Sequence, residues 1–148
     1  MTSFSRVLPQ EANALMTHDA FAYVDVRTEQ EFEAGHPKGA YNVPLMHMAP
    51  GGMVANADYV RVVSNHFDRD AKLIVGCKAG GRSMRAAELL VSAGFVNVMD
   101  QRAGFDGVRD GFGEVTEPGW SQAGLPIERG QPAGRNYRDL EKQTPSTA

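Results

Sequence analysis

The chain has one cysteine, Cys77, and it opens the run Cys77-Lys78-Ala79-Gly80-Gly81-Arg82-Ser83 between an apolar segment and an amphipathic one. At a strand-to-helix junction of this kind, unpaired backbone N–H groups and the positive end of the helix dipole converge, which favours an anion. Gly80 and Gly81 can take positive φ without steric cost, so the amides of Lys78 to Ser83 can curl into a concave nest around a sulfur atom. A helix N-terminus and nearby cations favour thiolate over thiol, and Lys78 and Arg82 supply the cations. The pattern makes Cys77 the candidate nucleophile. Lys78 and Arg82 are the candidate binders of an anionic substrate, and the backbone of Ala79, Gly80, Gly81 and Ser83 forms the loop.

Blander accounts compete at each position. A lone cysteine at a strand end is ordinarily a small buried hydrophobe. Here the preceding strand, the glycine pair, the two cations and the following helix all point at one atom. Lys78 and Arg82 could instead be solvated, or pair internally with Asp25 or Glu31. A single cysteine cannot form an internal disulfide or a four-thiolate metal site, which leaves a filler, a regulatory thiol or a nucleophile.

The elements that must position this loop can be read from periodicity. Pro9 with Leu8, Ala12, Leu15 and Met16 predicts a first helix. The β-branched and aromatic run from Phe21 to Val26 predicts a strand, and Thr28 with Glu31 has capping-box spacing for a helix through Phe32 that Gly35 ends. Residues Ala40 to Val43 predict a second strand, closed by Pro44. The stretch Met46 to Asn56, with Pro50, Gly51 and Gly52, predicts a long loop that could border a site, followed by a helix carrying Tyr59, Val60, Val63 and Phe67. Leu73 to Gly76 predicts a buried parallel strand that delivers the chain to Cys77. Ala86, Leu89, Leu90 and Ala93 predict a helix ending at Gly94, and Phe95 to Met99 a further strand. Alternating strands and helices argue for an α/β fold with a mostly parallel central sheet flanked by helices on both faces, with ligands beyond the carboxyl ends of the strands. Gly104 to Trp120 is irregular. The polar tail 129–148 lacks apolar periodicity and is expected to be disordered, leaving one domain over residues 1–128.

Bulk properties narrow the functions. A chain of 148 residues, 42% apolar and 22% charged, fits one compact domain with a real core. A formal net charge of -3 offers no broad basic field, so nucleic acid is not an expected partner. No signal-peptide pattern and no apolar window approaching about 18 residues is visible, so no membrane association is expected and the cytoplasm is the expected compartment.

These residues resemble a known family. Asp25-Val-Arg27, Glu31-Phe32, Gly35-His36, Gly39-Ala40 and Asn42-Val43-Pro44 are similar to the rhodanese signature. Cys77 to Ser83 is similar to that family's active-site loop, and Gly94-Phe95, Val96-Asn97-Val98 and Trp120 fit its C-terminal part, so the resemblance covers roughly Ser5 to Glu128. It implies a rhodanese-like fold and a thiosulfate sulfurtransferase. Sulfane sulfur would pass from thiosulfate or a related donor, through a Cys77 persulfide, to a thiophilic acceptor such as cyanide or a thiol, with no cofactor or metal required. It also implies that Asp25, Arg27, Glu31, His36 and Gly39 support the fold, His36 having no catalytic role. A cysteine desulfurase or a thiol-containing protein is a further expected partner.

Other classes fit less well. Phosphatases that share the fold use Cys-x5-Arg to hold a tetrahedral phosphate, whereas this chain has the shorter Cys-x4-Arg. Gly76 to Ser83 comes within one residue of a Walker A loop but places Arg82 where that loop needs lysine. A rhodanese-fold binding or sulfur-relay module, without thiosulfate as its true substrate, is the stronger rival, and retention of Cys77 counts against pure binding.

Overall fold

The computed structural model describes residues 4–143. Its elements run β1 (Ser5–Val7), α1 (Pro9–His18), β2 (Ala22–Asp25), α2 (Glu29–Ala34), β3 (His36–Pro37), β4 (Tyr41–Asn42), β5 (Met46–Ala49) and β6 (Gly52–Ala55). They continue as α3 (Tyr59–His66), β7 (Lys72–Gly76), α4 (Gly81–Ser92), β8 (Asn97–Gln101), β9 (Val108–Arg109), β10 (Val115–Glu117), β11 (Ile127–Glu128) and α5 (Tyr137–Glu141).

The central sheet has the order β1-β8-β7-β2-β4, and each of its pairings is parallel. The apolar run Leu73-Ile74-Val75 is fully buried because β7 lies between two other strands and under helices on both faces. Alternate residues sort to opposite faces. Val24, Leu73 and Val75 pack with Val62 and Val63 of α3 and Ala86 and Leu90 of α4. Tyr23 and Ile74 pack on the other side with Ala12 of α1, Phe32 of α2 and Trp120. Each fully buried Val, Leu, Ile or Phe among them contributes about 1.5–3 kcal/mol from apolar burial. The fold is the expected α/β arrangement with a parallel sheet covered on both faces.

Several segments differ from expectation, among them Gly104 to Trp120, read as irregular, where β9 and β10 pair antiparallel, and the short strands β3 and β11, which also pair. β1 was unforeseen, because three residues are too few to show a period; it pairs Arg6 with Asp100 and Val7 with Gln101. The last central strand starts at Asn97 rather than Phe95, since Gly94 turns at φ 102° and Val96 N–H goes to the Arg69 carbonyl, so strand pairing begins only where Asn97 faces Lys72. The stretch Met46 to Asn56 is a hairpin rather than a loop, β5 and β6 pairing antiparallel with Met48 opposite Met53. Residues 129–143, expected as disordered tail, are ordered: Asn136 caps α5 by accepting from Asp139 N–H at 2.9 Å, and Tyr137 and Leu140 are buried against the core. Two apolar residues one turn apart suffice to seat a short helix yet leave almost no periodic signal. The ends of the expected domain and tail, 1–3 and 144–148, lie outside the described residues.

Candidate active site

β7 carries the chain to Cys77, where the backbone leaves the sheet and α4 begins within a few residues. The Gly80 N–H donates to Cys77 Sγ at 3.0 Å, and the thiol in turn donates to Ser83 Oγ at 3.6 Å. Gly80 precedes α4 with φ 99°, and a Cβ there would collide with the Arg102 carbonyl, so both conformation and space demand glycine. Gly81 differs from expectation: it is the first residue of α4, without positive φ, and the turn rests on Gly80. Cys77 itself is 2% exposed, at the base of the loop rather than on its rim.

The loop is braced from behind by the segment after β8. Phe105 N–H donates to the Cys77 carbonyl at 2.7 Å and Asp106 N–H to the Lys78 carbonyl at 2.9 Å. Gly104, at φ 71°, lies so close that a Cβ would strike the Lys78 carbonyl. The buried Gln101 carboxamide holds that segment, accepting from Ala103 and Gly104 N–H at 2.9 Å each and donating to the Gly104 carbonyl at 2.9 Å and the Tyr23 hydroxyl at 3.2 Å. Buried polar groups satisfied in this way fix one arrangement.

Charge is arranged around the loop in layers. Arg27 donates to Asp25 at 2.8 and 3.0 Å and to the Gly35 carbonyl at 2.6 Å, while its guanidinium lies 4.4 Å from the Phe105 ring centroid. Thr28 and Glu31 form the expected capping box at the start of α2. Arg82 donates to both Glu31 oxygens, at 2.7 and 3.0 Å, with the two side chains only 17% and 26% exposed. Burial alone would push the Glu31 carboxyl up, but hydrogen bonds from Arg82 and Thr28 outweigh it and hold it at about 2. Arg82 therefore makes the internal ion pair, and its guanidinium fork is occupied rather than open to substrate. Lys78 is 58% exposed, with Nζ 3.9 Å from Asp106.

A pocket of about 230 Å³ opens beside the loop, with Arg27, Glu31, Lys78, Phe105 and Asp106 among its lining. It combines both signs of charge with an aromatic wall, as suits a small polar or ionic molecule. A larger hollow of about 530 Å³, bordered by Glu29, Glu33 and Asp139, includes no residue of the Cys77 loop.

Cys77, Lys78, Ala79, Gly80, Gly81, Arg82 and Ser83 thus share one loop, with Asp25, Arg27 and Glu31 as its support on the α2 side. His36 lies elsewhere, stacked on Phe32 at 3.6 Å between ring centroids and 3.1 Å from Glu128 Oε1. Sequence reasoning missed Gln101, Phe105 and Asp106. The available signal was a pair of polar residues, Asp100-Gln101, closing an apolar strand at its carboxyl end, where ligands gather.

Comparison with known proteins agrees with this geometry. Residues 8–110 match the model of the rhodanese-like domain. The chain is 38% identical to thiosulfate sulfurtransferase 16, chloroplastic, of Arabidopsis thaliana, over 86% of this chain and 99% of that protein. It is 36% identical to thiosulfate sulfurtransferase GlpE of Pseudomonas fluorescens (strain SBW25), over 72% of this chain and 85% of that protein. It spans about half the length of other curated relatives that it matches. The crystal structure of Rv0390 from M. tuberculosis superposes with a TM-score of 0.72 at 27% identity, covering 86% of this chain and all of that one. With its parallel sheet, its Cys77 loop and a family match over most of its length, this chain belongs to the rhodanese-like domain family.

Proposed function

We propose that the protein is a rhodanese-type sulfurtransferase that takes sulfane sulfur from thiosulfate, or a related donor, onto Cys77 and passes it to a thiophilic acceptor. The Cys77 Sγ attacks the outer sulfur of thiosulfate, the donor's S–S bond breaks, and sulfite leaves with the bonding pair. Cyanide or a thiolate then attacks the outer sulfur of the persulfide and Cys77 is released as thiolate. The Gly80 N–H, 3.0 Å from Sγ, is the observation that carries this reading, since it supplies a fixed donor to the sulfur atom on which negative charge resides as it attacks and as it is released. Lys78 is the exposed cation of the loop and the group suited to an incoming anion. The family match and two relatives named thiosulfate sulfurtransferase support the same reaction class.

Intact mass spectrometry after thiosulfate treatment tests the reading. A gain of about 32 Da, reversed by cyanide and absent from Cys77→Ser, is the expected result. No gain in the wild-type protein would remove thiosulfate as donor. A protein persulfide, as on a cysteine desulfurase, is the second reading; the occupied Arg82 fork favours it, because one loop cation is already neutralised. A gain of the same mass from a persulfidated protein, with none from thiosulfate, would select it.

A further inference from the structure

Three of the seven methionines, Met46, Met48 and Met53, lie within eight residues, and the sulfur-transfer reaction uses none of them. They belong to the β5–β6 hairpin, a two-stranded sheet of its own that turns at Pro50 and Gly51. The register sets Met48 directly opposite Met53, and Met46 opposite Ala55. Successive strand residues alternate between faces while cross-strand partners share one, so Met46, Met48 and Met53 stand on the same face. His47 and Val54, paired with each other, take the opposite face, where the His47 ring centroid lies 5.5 Å from that of Tyr137.

This spacing suits a shared ligand. Directly opposed strand residues have Cβ atoms about 4.5–5.5 Å apart, and next-but-one or diagonal neighbours about 7 Å. A methionine side chain is unbranched and has three rotatable bonds, so thioether sulfurs set at these intervals can turn towards one point. Met46 is half-buried and packs on the core, which fixes the inner corner of the triangle. Met48 and Met53 are 60% and 42% exposed, so the other two corners face solvent. Apolar side chains left in water contribute little to the fold, and their polarisable sulfur is the property that remains. A thioether is a soft, neutral donor that selects copper(I), whereas carboxylates and carbonyls suit magnesium and calcium. Among the described residues no group of three or more His, Cys, Asp or Glu side chains is placed to hold a metal ion, so harder donors do not compete.

We propose that the Met46, Met48 and Met53 face of the hairpin is a binding site for monovalent copper, with the three thioether sulfurs as its ligands. The ion keeps its oxidation state on binding, and no proton leaves the protein because a thioether carries none. The bound ion cross-links β5 to β6, a pair that no third strand supports among the described residues.

Cu(I) itself is the probe. It is titrated anaerobically, in competition with a chromophoric Cu(I) chelator, into the full chain carrying Cys77→Ser, so that the thiol cannot take the metal. One equivalent should be withheld from the chelator. The methyl NMR signals of Met46, Met48 and Met53 should shift while those of Met16 and Met84 stay in place. Met48→Leu and Met53→Leu, conservative exchanges at exposed positions, should each weaken binding by about tenfold or more. Leucine keeps the apolar surface and removes only the sulfur, so a face that merely docks another protein would not respond in this way. Met84→Leu, 38% exposed on α4, should bind as tightly as its parent. The inference is overturned if the Cys77→Ser protein withholds no Cu(I), if Met48→Leu and Met53→Leu bind as tightly as their parent, or if the shifted methyl signals belong to other methionines.

Discussion

Arg82 grips Glu31 with two hydrogen bonds, at 2.7 and 3.0 Å, and so ties the start of α4 to α2 beside the Cys77 loop. A cation in the active-site loop of a rhodanese-like domain invites a ligand-binding role. The occupied fork gives it a structural one. Glu31→Gln and Arg82→Ala should therefore act alike, each slowing thiosulfate turnover by about tenfold, or about 1.4 kcal/mol in the barrier. Steady-state kinetics of the two variants check this. A Glu31→Gln protein faster than wild type would show instead that Glu31 withholds Arg82 from substrate.

Lys78 is the counterpart. Exposed and only loosely paired with Asp106 at 3.9 Å, it contributes little to the fold. Lys78→Ala should raise KM for thiosulfate by several-fold while leaving stability within about 0.5 kcal/mol. Asp106→Asn, which removes the competing carboxylate, should lower KM. Denaturant melts beside the kinetics separate the two effects.

Acid should weaken the protein through two carboxyls. Burial opposes the charge of Glu31 and Glu128, but Arg82 and Thr28 at the first, and Arg135, Gly39 N–H and His36 at the second, hold both at about 2 against an ordinary value of 4.5. Folded values below the unfolded ones mean stability that is present above 4.5 and is lost as pH falls from 4.5 towards about 2. Glu31→Gln and Glu128→Gln should each cost about 2 kcal/mol at neutral pH and flatten that acid limb. Urea titrations along the pH range measure both slopes.

The C-terminal segment should matter to stability. Leu140 is 1% exposed and packs in the core cluster with Val62 and Val63. Leu140→Ala should cost about 2–4 kcal/mol, and a chain ended after residue 128 should lose more, since Arg135 and Tyr137 go with it. A melting temperature unchanged by truncation would return the segment to the status of a tail.

How much of this was legible depends on the range of the interaction. Leu73-Ile74-Val75 announces a buried strand and Thr28 with Glu31 announces a helix start, because both signals lie within a few residues. That Arg82 would find Glu31, 51 positions away, could be offered only as one alternative. The Gly80 turn was visible from residue type, yet which of two adjacent glycines carries the positive φ is decided by the Arg102 carbonyl, which the fold brings there. Gln101 escaped notice since its carboxamide gains meaning only when Tyr23 and Gly104 converge on it. The β5–β6 hairpin read as a loop because Pro50, Gly51 and Gly52 dominate the composition and the flanking residues are largely exposed, which blurs the alternation that marks a strand.

The braces on the Cys77 carbonyl, the Gly80 turn and the Arg82 fork come from the segment after β8 and from α2, whose Phe105 and Phe32 pack in the core on one face of the sheet. The contacts that shape this cradle are already made, and they tie it to elements that should soften only with the sheet. Heating should consequently silence the protein and melt it in one event, the loss of thiol chemistry tracking the loss of helix degree for degree.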